Sequence, residues 1–201
     1  MAYGMLIDLK KCVGCHACST SCKGANATPP GVLRAWVDRE ESGSYPSATV
    51  TFVPKLCNQC DKPLCVVACP NGATEKREDG VVVINKEKCV GCKTCMEACP
   101  YDARYLVADA KGYFGEDLTE YEARGYTAYP AMTVDKCDFC MSRTAEGETP
   151  EPACVAACPA GARLFGDADE LREKALAGNG MVLNEDAGTD PNVFYLPDVK
   201  Y

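Results

Sequence analysis

Histidine is almost missing from this chain, which has one, His16, in 201 residues. That leaves little room for acid-base catalysis built on imidazole, the side chain that most readily exchanges protons near neutral pH. Basic residues are outnumbered, 21 against 29 acidic, and the formal charge of −8 speaks against nucleic acid as a partner, where basic stripes are expected. Phenylalanine and tryptophan number only six together, so the supply of large apolar side chains for a core is modest. Small domains short of apolar core commonly lean on bound metal. No hydrophobic run reaches the length of a transmembrane helix, so no direct membrane span is expected. The amino terminus, MAYGMLIDL, shows neither a charged region leading into an apolar stretch nor paired arginines, so no export signal is expected on this chain itself. Dinucleotide and phosphate-gripping glycine fingerprints are also missing.

Cysteine is what the chain has in excess. There are sixteen, and they fall into four runs that use all of them. Cys89, Cys92, Cys95 and Cys99, followed by Pro100, read CVGCKTCMEACP. This is the ligand run of bacterial ferredoxins carrying [4Fe-4S] clusters, in which the fourth cysteine serves a second cluster. Cys12, Cys15, Cys18 and Cys22 repeat the spacing, with Lys23 in place of the proline. Cys57, Cys60, Cys65 and Cys69, then Pro70, carry two extra residues in the middle gap. In Cys137, Cys140, Cys154 and Cys158, then Pro159, that gap has grown into the polar loop Met141–Ala153. Soft thiolates suit iron-sulfur centres, and each cubane takes four of them, so sixteen cysteines make four [4Fe-4S] clusters with none left over. A disulfide scaffold would crowd three cysteines onto one loop, and zinc, the better rival, rarely needs three cysteines in seven residues.

Around the runs, one small unit recurs. Short strands are expected at Met5–Leu9, Val50–Val53, Val81–Asn85 and Met132–Asp135, each feeding a cysteine loop. A short helical turn should close each run, stopped by proline where there is one. The segments after Pro70, Pro100 and Pro159 look like one turn used three times. Thr74–Arg77, Asp79–Gly80 and Val81–Ile84 read as a hairpin with a primed turn. The expected fold is α+β: two bacterial-ferredoxin-like modules related by pseudo-twofold symmetry, one inserted in the other. Residues 1–28 plus 130–167 would form the discontinuous module and 50–107 the inserted one, with two clusters in each. Residues 29–49 and 108–129 would be crossing and interface loops without regular structure. Residues 168–201 would supply a helix, Asp169–Ala177, and a tail that straps back or meets a partner. Trp36–Tyr45, Tyr113–Tyr129 and Phe194–Tyr201 are the expected contact segments, since aromatics concentrated in loops suit interfaces. Gly14 and Gly91 are expected to let backbone approach sulfide. Lys11, Lys23, Lys88, Lys93 and Lys136 are expected chiefly to solvate the loops.

These four runs, with Pro29-Pro30-Gly31, Tyr45-Pro46, the Lys76–Gly80 hairpin, the block Pro100-Tyr101-Asp102-Ala103-Arg104 and the ending Phe194-Tyr195-Leu196, resemble the four-cluster electron-transfer subunit of the dimethyl sulfoxide reductase family of molybdopterin oxidoreductases. The polysulfide, thiosulfate, tetrathionate and arsenate respiratory reductases are the nearest in look. The resemblance implies a crossed ligand scheme: Cys12, Cys15, Cys18 and Cys158 for one cluster, and Cys22, Cys137, Cys140 and Cys154 for a second. Cys69, Cys89, Cys92 and Cys95 would hold a third, and Cys57, Cys60, Cys65 and Cys99 a fourth. It further implies a molybdopterin (Mo or W) catalytic subunit at the Cys12 group and a quinone-reactive integral membrane subunit at the Cys57 group. Location would then be the periplasmic face of the cytoplasmic membrane, through co-export with the catalytic subunit, or otherwise the cytoplasm. With every iron ligated no catalytic position is open, and the chain should relay single electrons. The cysteines also leave open a hydrogenase or formate dehydrogenase subunit and a free soluble polyferredoxin.

Overall fold

The computed structural model describes residues 1–109, 111–145 and 147–198. In chain order its strands and α-helices are β1 (Tyr3–Asp8), α1 (Ala17–Asn26), β2 (Ala35–Ser42), β3 (Thr49–Leu56), α2 (Leu64–Val67), β4 (Thr74–Lys76), β5 (Val82–Ile84), α3 (Thr94–Glu97), β6 (Tyr105–Val107), α4 (Glu120–Gly125), β7 (Thr133–Asp135), α5 (Ala153–Ala156), β8 (Arg163–Asp167), α6 (Ala168–Ala177) and β9 (Val193–Leu196). The four helices that follow cysteine loops differ in length for a local reason. Proline comes soon after α2, α3 and α5, whereas α1 meets Lys23 at that point and runs on for ten residues.

The sheets are small. β1 lies between β8, antiparallel with Ile7 opposite Arg163, and β9, parallel with Met5 opposite Val193. Its alternation explains why it sits in the middle. Met5 and Ile7 enter the main core, while Leu6 turns to the other face and meets Leu171 and Ala175 of α6 and Phe194 of β9. Each of the larger ones, Met5, Leu6, Ile7, Leu171 and Phe194, contributes about 1.5–3 kcal/mol by its burial. That main core is shared along the whole chain, joining Met5 and Ile7 to Leu56, Val81, Phe139, Val193 and Tyr195. The Tyr195 hydroxyl donates to the Pro54 carbonyl at 2.9 Å, and the Asn192 amide donates to the Gln59 carbonyl at 3.0 Å.

Several expectations are corrected. Residues 29–49 are not irregular: β2 pairs with β3 from Ala35 opposite Leu56 to Ser42 opposite Thr49. The excursion 108–129 contains α4, whose capping box joins Thr119 to Glu122. The β4–β5 connection is not a primed turn, because neither Glu78 nor Asp79 has positive φ; Gly80 does, at 79°, after an Arg77–Gly80 turn. Phe194 and Tyr195 are interior residues of β9 and are not presented to a partner. Tyr126 and Tyr129 are buried as well, while Tyr45, Tyr113, Phe114 and Tyr121 remain exposed. Val199–Tyr201 of the expected contact tail lie outside the described residues.

Candidate metal centres

All sixteen cysteines are free of disulfides. The loops that carry them share one backbone device, since the residue before the second cysteine of every run has positive φ: Gly14 at 67°, Gln59 at 46°, Gly91 at 65° and Phe139 at 53°. Glycine takes this conformation without strain, and other residues pay roughly 1–2 kcal/mol. Gln59 and Phe139 are held there by what they touch. The Gln59 side chain accepts from Val82 N at 2.8 Å and donates to the Cys137 carbonyl at 2.7 Å, and Phe139 packs edge-on against Phe165. Gly14 and Gly91 are required on a second ground: a Cβ would lie 2.5 Å from the Phe52 ring and 2.2 Å from the Met132 carbonyl oxygen.

Folding brings cysteines from different runs together. One cavity is lined by Cys69 with Cys89, Cys92 and Cys95. Another is lined by Cys99 with Cys57, Cys60 and Cys65. In a third group the Cys22 thiol is pushed up to about 12 by burial and then by the charges of Cys154 and Cys140. Cys137 is raised by burial, then by Cys22 and Cys154. Cys12 is also raised, by burial first, with Cys18 and Cys158 among the charges acting on it. Cys15, between Cys12 and Cys18 in the same loop, is exposed. Buried thiols that repel one another resist ionising together, and iron supplies the positive charge that lets them. Among the described residues, no three His, Cys, Asp or Glu side chains are gathered tightly enough for a single metal ion.

Donors already point at the sulfurs. Ala73 N reaches Cys69 Sγ at 3.2 Å, Ala162 N reaches Cys158 Sγ at 3.3 Å, Val134 N reaches Cys89 Sγ at 3.4 Å, and the Asn26 amide approaches Cys22 Sγ and Cys140 Sγ at 3.6 and 3.8 Å. Such bonds tune metal-bound thiolates. Arg104 Nε and Nη2 and Arg163 Nη2 are buried guanidinium nitrogens without a hydrogen-bond partner, and both side chains feel the charges of cysteines, Cys65 first for Arg104 and Cys154 first for Arg163. Arg104 lines the cavity of Cys57, Cys60, Cys65 and Cys99. Cysteine-lined cavities, inward donors and unmatched buried cations together fit anionic thiolate-bound clusters.

Two expectations change at this level. The Cys57 group has a neighbour on either side: the charge of Cys57 acts on Cys137 and Gln59 bonds the Cys137 carbonyl, toward the Cys22 group, while Arg104 is acted on by Cys65, Cys57 and Cys95, toward the Cys69 group. Cys15 and Cys92 are the exposed cysteines, one in each remaining group. Lys11, Lys88 and Lys93 are exposed as expected, but Lys136 is 2% exposed and donates to the Cys137 carbonyl. Lys23 is turned onto the carbonyls of Thr28, Pro29 and Val32. His16, in the first loop, is exposed. Sequence reading also missed an ionic hub. Arg34 grips Asp135 through two bonds of 2.8 and 3.0 Å and reaches Asp138 at 3.1 Å, and Lys86 joins Asp135 at 2.9 Å.

Comparison with known proteins agrees with this construction. A family profile described as a 4Fe-4S dicluster domain matches residues 48–114. The chain is 40% identical to the B subunit of the tetrathionate reductase of Salmonella typhimurium, over 96% of its own length and 72% of the relative's. It is 36% identical to the arsenate respiratory reductase iron-sulfur subunit of a Shewanella species, over 98% and 96% of the two lengths. It is also 36% identical to the B subunit of the polysulfide reductase of Wolinella succinogenes, over 98% and 95%. The cofactors are [4Fe-4S] clusters, and this protein belongs to the iron-sulfur B subunits of the molybdopterin reductases.

Proposed function

We propose that this chain carries single electrons between a molybdopterin catalytic subunit and a quinone-reactive membrane subunit of an anaerobic respiratory oxidoreductase, at the periplasmic face of the membrane after co-export. The observation that carries the reading is the gathering of cysteines from distant runs, Cys69 with Cys89, Cys92 and Cys95 in one cavity and Cys99 with Cys57, Cys60 and Cys65 in another. The ligand sets are those of the crossed scheme, two in the half formed by residues 1–28 plus 130–167 and two in the half 50–107. Bound there, the clusters supply one-electron donor and acceptor chemistry. The chain's own part is to ligate, to space the groups, to donate hydrogen bonds to sulfur and to exclude water from the Cys22 group, all four of whose cysteines are buried. Exposure of Cys15 and Cys92 supports the Cys12 group as the end toward the catalytic subunit and the Cys69 group as the end toward the second partner.

The apolar groove of Leu33, Tyr113, Phe114 and Tyr121 beside α1 is the proposed contact with the catalytic subunit, supported by the exposure of its aromatics. The second partner would supply the membrane span, since no helix among the described residues is long and apolar enough to cross a bilayer. Anaerobic purification with its partner tests the reading. About sixteen iron and sixteen sulfide atoms per chain are expected, with a pterin and molybdenum or tungsten in the co-purifying large subunit. Stoichiometric zinc with little sulfide, or a large subunit without pterin, would defeat it.

A further inference from the structure

We propose that Arg163, Lys136 and Arg104 form a series of buried cations, one in each gap between neighbouring cysteine groups, that raises the reduction potentials of the two sites flanking it. Each is almost completely buried, with exposures of 3, 2 and 3%. None forms an ion pair with a described carboxylate. Arg163 Nη1 donates to the Met5 sulfur at 3.6 Å, Nη2 has no hydrogen-bond partner, and the sulfur that the side chain acts on as a donor is that of Cys154. Arg104 donates to Thr74 Oγ1 at 3.1 Å, and its Nε and Nη2 are unmatched. Lys136 donates to the Cys137 carbonyl at 2.7 Å. A buried charge without a counter-charge is strongly disfavoured, so each of these cations needs a negative neighbour, and no described carboxylate supplies it.

Their surroundings say which neighbour. The charges acting on Arg163 come from Cys154 and Cys18, then Tyr195 and Cys137, which places it between the Cys12 and Cys22 groups. Lys136 adjoins Cys137 and acts on Cys65, between the Cys22 and Cys57 groups. Arg104 faces Cys65 and Cys57 on one side and Cys95 on the other, between the Cys57 and Cys69 groups. Arg104 and Arg163 also occupy equivalent places, each the fifth residue after the last cysteine of its run. The second run has Thr74 there, and Thr74 accepts the Arg104 bond.

The inference rests on the ligand scheme proposed above. A one-electron reduction adds one negative charge to a site, and a cation held nearby in a water-poor interior favours the more negative state. Passage of one electron across a gap lowers one side's charge by one and raises the other's by one. The sum around the intervening cation is unchanged, so a centrally placed cation lifts both sites without trapping the electron on either.

The test is an anaerobic redox titration of the holoprotein in its complex, followed by electron paramagnetic resonance, with iron and sulfide measured on the same samples. Arg163→Gln should lower the ratio of reduced to oxidised centre about tenfold at fixed potential, about 59 mV for one electron, at the Cys12 and Cys22 sites alone. Arg104→Gln should do the same at the Cys57 and Cys69 sites, and Lys136→Gln at the Cys22 and Cys57 sites. Arg163→Lys keeps the charge and should retain the wild-type curves. Thr74→Asp covers a Gln variant that loses its clusters: the guanidinium stays, a carboxylate neutralises it, and the Cys57 and Cys69 sites should fall. Unmoved potentials in fully loaded Gln or Thr74→Asp proteins, a shift spread evenly over all four sites, or a fall in Arg163→Lys as large as in Arg163→Gln would overturn the inference. Fewer than four clusters in the wild-type protein would instead bring down the ligand scheme, and the gap assignment with it.

Discussion

Asp135 is the residue at which three separate segments meet. It accepts Arg34 from the stretch before β2 and Lys86 from just beyond β5, and it is the last residue of β7, two positions before Cys137. Burial alone would raise its carboxyl, but Arg34 and Lys86 outweigh burial and hold it below the usual carboxylate range. A carboxyl depressed in the folded protein contributes stability that is fully present above the unfolded value and is lost as pH falls through the folded one. Asp135→Asn removes the carboxylate that takes two of Arg34's bonds and pairs with Lys86, leaving Asp138 as the guanidinium's remaining charged partner; it should cost up to about 3–5 kcal/mol, read as a lower denaturant midpoint by anaerobic cluster absorbance. A midpoint equal to wild type would count against the hub. At this scale the sequence was only partly legible. Ligands announce themselves by spacing, and Gly14 and Gly91 by type. Gln59 and Phe139 hold the same backbone position but reveal it only when the four runs are superposed on the residue before the second cysteine. Arg104 and Arg163 look like solvent-facing charges until the chain closes over them.

Among the elements, the short strands before the cysteine loops were readable from apolar runs ending at lysine and cysteine. β2 was not, because its eight residues, AWVDREES, are mostly polar and its outer half is exposed; pairing with β3 makes it a strand where pattern does not. α4 was hidden for a different reason, since a six-residue helix leaves little periodicity and is defined chiefly by its cap. Glu122 is the centre of that cap. Its carboxylate accepts from Tyr113 N at 2.9 Å and Thr119 N at 2.8 Å, and these bonds, first the one from Tyr113, draw its pKa down to about 2. A depressed carboxyl stabilises only while ionised, so the ordering of residues 113–119 should be complete above about pH 4.5 and lost as pH falls toward about 2. Glu122→Gln should speed amide hydrogen exchange at Tyr113 and Thr119 near neutral pH while leaving the β1 amides unchanged. Unaltered exchange at both amides would remove the cap from any part in shaping the aromatic groove.

Across the whole molecule, the proposed crossing of ligands between runs would fix which parts depend on which. Cys22→Ser should disturb the paramagnetic signal of the site of Cys137, Cys140 and Cys154, although Cys22 lies beside Cys12, Cys15 and Cys18 in sequence. A disturbance confined to the Cys12 site would reverse the assignment. Cysteine count and spacing made the cofactor legible, and family resemblance suggested the exchange. The order of groups was not legible, because it depends on contacts such as Gln59 with Cys137 that join residues far apart in the chain. The placement of β1 has a further consequence, one of timing. This strand leaves the ribosome long before both of its neighbours, β8 and β9, which come from residues 163–196. Residues 57–99 can gather their eight cysteines while synthesis is still under way, whereas β1 has no sheet to join, and Cys12 no Cys158, until those later residues have been translated. Iron delivered during translation would therefore meet the middle of the protein ready and Cys12, Cys15 and Cys18 waiting.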